Sequence, residues 1–271
     1  MTIVALAQAL DTNEYGGKAC HLGAALRAGL LVPPGYAVSV DALSRLEQNE
    51  PAASARIAAI VAELGVPVAA RSSAVGEDAE DASFAGQHLT ALNLMSAAAT
   101  IDGLQRVYHS AHTEAALGYR KKKGINAPIR VAAVVQKLVD PVCAGVLFTK
   151  NPVTGAHEHV IEAAWGLGET VVAGLVTPDQ YRVARDGRVL AVQVGEKDLA
   201  VRRIASGGTE EAEVEAALVH ARCLDDAWLA RLHDLALRCE ACFGPHLDLE
   251  WARVGNDLYL LQSRPISTGR A

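Results

Sequence analysis

The stretch LDLEWARVGNDLYLLQSRPI, residues 247–266, leaves the chain little choice there but a β-hairpin. Two runs alternate apolar and polar side chains, and Gly255-Asn256-Asp257 between them supplies turn residues. Asp248 and Glu250 lie two apart on the first run, Gln262 and Arg264 two apart on the second. Residues two apart on a strand face the same way. If the strands pair around the turn, a carboxylate pair, an amide and a guanidinium can share one sheet face. Such a set suits Mg2+, which takes hard oxygen ligands from one or two protein groups plus phosphates. It also suits phosphate itself, which arginine meets with two parallel donors. It suits a solvated hairpin face with an ion pair equally well, and the hairpin alone does not choose between these.

The rest of the chain reads as an α+β pattern, helices first and antiparallel strands later. LLVPPGYAVSV is a Pro-Gly turn entering a strand. Residues 41–64 read as one helix with Ile57, Ile60, Val61 and Leu64 on a face, ended by Gly65. VAA then leads to Arg71. Residues 71–87, RSSAVGEDAEDASFAGQ, are small, polar and acidic with no regular period, which predicts a long loop, and long loops in compact domains are usually functional. HLTALNL alternates like a strand, and residues 96–123 read as helical. RVAAVVQKLV, AGVLFT and HVIEAAW read as strands, and YRVAR and VLAVQV flank the hairpin signal Asp186-Gly187. Residues 225–243 read as an amphipathic helix with Asp225 as N-cap and Gly244-Pro245 as its stop.

Several functions are disfavoured. The net charge of −6 gives the chain no overall attraction for a nucleic acid, and the one compact basic run, Arg120 to Lys123, reads as a solvated helix end. Apolar runs are far shorter than the ~20 residues of a membrane-spanning helix, and no basic residue precedes the apolar N-terminus as in a signal peptide. Five cysteines, an odd number at irregular spacing, argue for a reducing compartment, and so for a cytoplasmic location, rather than a disulfide framework. Cys239 and Cys242 are one helical turn apart and read as packing. His109/His112 and His157/His159 lack metal-site spacing and are read as surface residues, and no G-x-S-x-G elbow is present. Lys18 follows Gly16-Gly17, but Thr12 and Ala19 stand where a P-loop needs Gly and Ser or Thr. The glycines let backbone approach an anion closely, although an exposed lysine is the plainer reading. Arg71 could hold a phosphate, with Ser83 to Gly86 folding over it.

Taken in order, GGKACHLGAAL, AGLLVPPGYAVS, RSSAVGEDAEDASFAGQHLTALNL, VVQKLV, AGVLFTKNPVTG, EAAWGLGETVVAGLVTPDQY and LDLEWARVGNDLYLLQSRP cover nearly the whole chain. The set resembles the ATP-binding domain of the phosphoenolpyruvate-utilising dikinases, which include phosphoenolpyruvate synthase, pyruvate phosphate dikinase and rifampin phosphotransferase. The resemblance implies an ATP-grasp fold, with two α+β subdomains enclosing the nucleotide, here expected at about residues 1–125 and 126–271. It implies Mg-ATP as ligand and a phosphotransferase activity. Lys18 resembles the lysine on the nucleotide phosphates and Arg71 the arginine that steadies the transferring group. Gly86 and Thr90 fall where a mobile loop approaches the phosphates. Gln136, Lys137 and Leu138 resemble the hinge whose backbone reads adenine. Glu250 and Gln262 resemble the magnesium and ribose-phosphate ligands, Arg264 a phosphate contact, and Asp248 a support for the metal. The chain departs from the family in two ways. None of its histidines follows Thr-Ser, the context of the family's phosphorylated histidine, and the stretch from Lys18 to Arg71 is shorter than usual. The expectation is a split dikinase subunit that passes a pyrophosphoryl group to a histidine on a partner protein or domain. A self-sufficient kinase or ligase, a silent nucleotide sensor, and a fragment of a longer enzyme are the alternatives.

Overall fold

The computed structural model describes residues 2–75, 89–113 and 129–266. By contact the chain divides into two units. The first comprises Met1–Ala24, Pro33–Leu138 and Ile204–Gly208; the second comprises Ala25–Val32, Val139–Arg203 and Thr209–Ala271.

In the first unit, strands β1 (Ile3–Ala5), β2 (Gly35–Val38), β3 (Val68–Ala74), β4 (Thr90–Leu94) and β5 (Val131–Lys137) form one sheet in the order β1-β2-β5-β3-β4. Every neighbouring pair is antiparallel. The helices are α1 (Thr12–Arg27), α2 (Val40–Glu47), α3 (Pro51–Leu64) and α4 (Ala97–Ser110). Leu43, Leu46, Ile57, Ile60, Leu104 and Val107 from α2, α3 and α4 pack into one core with Val68 and Ala70 of β3 and Val131, Ala133 and Val135 of β5. Side chains alternate along a strand, so Arg71 and Ser73 on β3, and Val134 and Gln136 on β5, face away from that core.

The single helix expected over residues 41–64 is two. Pro51 cannot donate to a helix running through it, so α2 stops at Glu47 and α3 starts afresh with Pro51 in its first turn. Ser39 caps α2 by accepting from the Ala42 N–H (3.1 Å). The strand entering Arg71 also runs further than expected, to Ala74. The division expected near residue 125 falls instead after Leu138. The reason is β5, which lies between β2 and β3 and cannot be parted from them.

In the second unit, β6 (Cys143–Phe148), β7 (Glu158–Trp165), β8 (Asp179–Ala184), β9 (Val189–Gln193), β12 (Leu247–Val254) and β13 (Asp257–Pro265) form an antiparallel sheet in the order β13-β12-β6-β7-β8-β9. A separate ribbon pairs β10 (Leu199–Arg203) with β11 (Thr209–Glu213) and was not legible in the sequence. After the short helices α5 (Glu169–Val172) and α6 (Ala216–Val219) comes α7 (Asp226–Phe243). Asp225 accepts from the Trp228 N–H (2.9 Å), and Gly244 ends the helix at φ 87°. Helix α7 packs on β12 and β13, burying Leu229, Leu232 and Cys239.

Two polar clusters are built into this unit. Asp179 accepts from Lys197 Nζ (2.5 Å), Tyr181 Oη (2.8 Å) and the N–H groups of Gly195 (2.9 Å) and Cys223 (2.7 Å). Both members of the Asp179–Lys197 pair are fully buried. Burial works against ionised Asp179, and the four donors overcome it, so its carboxyl sits below the ordinary range. The second cluster centres on His159, which is fully buried and not at the surface as its sequence context suggested. Arg185 Nη1 lies 2.7 Å from His159 Nε2, and His233 Nδ1 lies 3.4 Å from His159 Nδ1. An arginine can only donate, so Nε2 accepts and the neutral ring carries its proton on Nδ1. Arg185 in turn meets Glu240 (2.5 Å). Burial, helped by the Arg185 cation, lowers the His159 pKa to about 4. Burial pushes the Cys143 and Cys239 thiols up to about 12, which makes them inert core residues.

Candidate nucleotide site

In the first unit the site is built where α1 meets β3. Gly16 breaks α1 with φ 74° and ψ 168°. A Cβ at Gly16 would lie 2.0 Å from the Ser73 carbonyl oxygen, so only glycine brings this backbone so close to the strand. The helix restarts immediately, with Lys18 in its new first turn. Lys18 is buried, not the exposed residue its context suggested, and its Nζ donates to the Ser72 carbonyl (2.8 Å). Ser73 Oγ donates to the Tyr15 carbonyl (2.7 Å) and accepts from the Ala19 N–H (3.0 Å). Arg71, also buried, stands two residues before Ser73 on the same face and is directly opposite Thr90 on β4. Lys18, Arg71 and Thr90 are thus brought to one end of one sheet face. Ser72 Oγ, on the opposite face of β3, is buried with no hydrogen-bond partner among the described residues. Helix N-termini and cations of this kind suit an anion. Gly86 lies outside the described residues, as does most of the expected loop at 71–87.

Gln136, Lys137 and Leu138 end β5 on the same sheet. Arg71 is opposite Val134 and Ala69 opposite Gln136, so the Arg71 and Gln136 rows are ~7 Å apart along the strands. Gln136 Nε2 donates to the Pro33 carbonyl (2.9 Å), and Lys137 Nζ donates to the Gly65 (3.1 Å) and Val66 (2.9 Å) carbonyls. The backbone N–H of Lys137 donates to Pro34 (2.8 Å) and that of Leu138 to Pro67 (3.1 Å). At these two residues a base would therefore find carbonyl oxygen rather than N–H.

In the second unit the hairpin β12–β13 carries Glu250 opposite Gln262 and Asp248 opposite Arg264. A regular hairpin could not do this. From the turn to Trp251 the partners are Val254–Asp257 and Trp251–Leu260, a register that would set Glu250 against Leu261. A bulge between Glu250 and Trp251, with Leu261 as the extra residue on the facing strand, moves the next partner to Gln262. Bulges re-aim side chains in this way. Leu247, Leu249 and Trp251 fill the core on the other face.

The polar face extends across the sheet. Glu250 is opposite Val146 on β6, Val146 opposite Glu162 on β7, and Glu162 opposite Gln180 on β8. Gln180 Nε2 donates to Glu162 Oε1 (3.3 Å). Glu162 was not singled out in the sequence; its only signal there was a lone carboxylate within an apolar strand. Arg264 meets Asp248 Oδ2 through Nε (2.8 Å) and Nη2 (2.7 Å), which fixes the plane of the guanidinium. Asp248 Oδ1 is buried with no hydrogen-bond partner among the described residues. Burial raises the Asp248 pKa, Arg264 opposes the rise, and Glu250 and Glu162 add to it.

This face fits a divalent cation of the Mg2+ type. Glu250 and Gln262 offer hard oxygen donors side by side, and an orphaned carboxylate oxygen lies one pair further along. No group of three or more Asp, Glu, His or Cys among the described residues could cage a metal alone. Mg2+ does not need such a cage when phosphates complete its shell.

The family described as pyruvate phosphate dikinase, AMP/ATP-binding domain, matches residues 51–271. A rifampicin phosphotransferase of Streptomyces sviceus is 37% identical over 96% of this chain and 35% of its own length. A probable phosphoenolpyruvate synthase of Methanothermobacter thermautotrophicus is 35% identical over 95% of this chain and 44% of its own. The phosphoenolpyruvate synthase of Pyrococcus furiosus is 39% identical over 75% of this chain and 26% of its own. The chain thus spans between about a quarter and less than half of the relatives it matches.

Proposed function

The chain belongs to the pyruvate phosphate dikinase AMP/ATP-binding domain family, and from that premise we propose that it binds Mg-ATP as an ATP-grasp phosphotransferase domain. In this reading it passes the terminal pyrophosphoryl group of ATP to a histidine on a separate domain or protein. The imidazole nitrogen attacks the β-phosphorus, the bond from that phosphorus to the α,β-bridging oxygen breaks, and AMP leaves with the oxygen. Phosphoryl transfer is mostly positioning and charge neutralisation. Lys18 and Arg71 supply cations from the first unit and Arg264 from the second. Thr90, opposite Arg71, adds a hydroxyl, and Gly86 is read as a further phosphate contact. The strand end Gln136–Leu138 takes the adenine. Glu250 and Gln262 would hold Mg2+, which when bound neutralises phosphate charge. Asp248 orients Arg264.

The observation that carries the reading is that the chain holds a buried lysine–arginine set in its first unit and, in its second, a sheet face with a carboxylate, an amide and an arginine. In the same chain no histidine follows Thr-Ser. The test is a product assay. The purified chain is incubated with Mg-ATP, alone and with a phosphohistidine-domain protein encoded near its gene, and AMP is separated from ADP. AMP formed with the partner, and label on the partner's histidine, is expected. ADP formed by the chain alone, or a phosphohistidine on this chain, overturns the reading.

A further inference from the structure

Lys18 can meet a phosphate only if the turn before it stays in place, and one hydroxyl touches both sides of that turn. Ser73 is fully buried. Its Oγ donates to the Tyr15 carbonyl (2.7 Å) and accepts from the Ala19 N–H (3.0 Å). Those two groups bracket Gly16-Gly17-Lys18. The Ala19 N–H belongs to the first turn of the restarted helix, where intrahelical bonding leaves donors orphaned. The next carbonyl back along β3, that of Ser72, receives Lys18 Nζ (2.8 Å). Alanine at position 73 would keep the strand but leave a buried carbonyl and a buried N–H without this partner, and such groups are expensive to strand.

We propose that Ser73 is a positioning residue for polyphosphate recognition: its hydroxyl clasps the Gly16–Gly17 turn to β3 and fixes Lys18 beside Arg71. The proposal rests on the reading of Lys18 and Arg71 as phosphate-binding groups. Its effect is confined to the phosphate end of the ligand. The strand end at Gln136–Leu138 is held independently, through the Pro33, Pro34 and Pro67 carbonyls.

The test compares dissociation constants for Mg-ATP, Mg-ADP and AMP, by calorimetry, in the purified chain and in Ser73→Ala, with thermal midpoints measured alongside. Ser73→Ala is expected to weaken Mg-ATP by about tenfold, from two lost buried hydrogen bonds. AMP is expected to stay within about twofold. Ser73→Thr, which keeps the hydroxyl, is expected to recover Mg-ATP binding. Equal weakening of ATP and AMP, no weakening, or a folded Ser73→Thr that binds Mg-ATP no better than Ser73→Ala overturns the clasp. If Ser73→Ala does not fold, Ser73→Cys keeps the side-chain shape with a weak donor and carries the same comparison. A wild-type chain that binds none of the three nucleotides overturns the phosphate reading and the clasp together. Wild-type binding matched by the variant overturns the clasp alone.

Discussion

Replacing His159 with glutamine should flatten the acid side of the stability profile. The buried ring accepts from Arg185 Nη1 at 2.7 Å, and its pKa is about 4 instead of the ordinary 6.5. Because the folded-state value is lowered, the unfolded chain takes up a proton below pH ~6.5 that the folded chain refuses. The neutral ring's stability is therefore fully present above that point, falls as the pH drops through the window from ~6.5 to ~4, and levels off below it. Between about pH 7 and about pH 5 the wild type should lose roughly 2 kcal/mol through this one site. Glutamine keeps an acceptor for Arg185 but does not titrate. Carboxylates such as Glu158, held below the usual range by Arg182, also weaken the fold in acid, but they are present in both proteins and cancel in the difference. The assay is urea denaturation of both proteins at each pH, with the urea slopes compared to confirm similar unfolding. The expected result is a difference in stability that shifts toward the glutamine variant by about 2 kcal/mol as the pH falls. Parallel profiles, within about 0.5 kcal/mol across the range, would refute a neutral His159 held by burial and Arg185.

Gly16→Ala should push the turn off β3, since its Cβ would stand 2.0 Å from the Ser73 oxygen; a calorimetric Mg-ATP affinity reduced by at least about tenfold is expected, and an unchanged one contradicts the packing described. Glu250→Gln should leave some ATP binding but make it nearly independent of Mg2+, read from titrations with and without the metal; retained Mg2+ dependence would move the metal ligand elsewhere. Lys197→Met should destabilise the fold by about 3–5 kcal/mol by stranding buried Asp179. A loss under about 1 kcal/mol by urea denaturation would show that the pair is not the anchor of that cluster.

Much of the fold was legible because local signals and tertiary needs agree. Asp225 caps α7 and Gly244 ends it, and Asp186-Gly187 joins β8 to β9, as the residues alone imply. Pro51 carried a signal that was missed, for a proline within an apolar helical period restarts the helix. The ribbon of β10 and β11 was not legible, because its second strand, TEEAE, lacks the apolar face that marks a strand. At the site, residue types were more informative than their geometry. Asp248, Glu250, Gln262 and Arg264 do share a face, but strict alternation from the turn would have turned Gln262 and Arg264 toward the core. The bulge that corrects this has no turn residue or glycine at Leu261 to announce it. Lys18 and His159 were both drawn toward the surface by their sequence context, since burial of a lysine or histidine depends on partners such as Ser72 or Arg185 that lie far away in sequence.

The division of the chain bears on how this domain can be inherited and engineered. The polypeptide changes unit five times, after Ala24, Val32, Leu138, Arg203 and Gly208. A gene severed after Leu138 would give two products, neither holding a whole unit. The first would lack Ile204 and Gly208, whose carbonyls accept from Asn93 Nδ2 (both 2.6 Å). The second would lack Leu31, whose carbonyl accepts from the Leu260 N–H (2.9 Å). Recombination can move the domain intact among larger enzymes as one cassette, but it cannot trade one half for a foreign counterpart without breaking the sheet edges and loops that the other half's gene segment encodes.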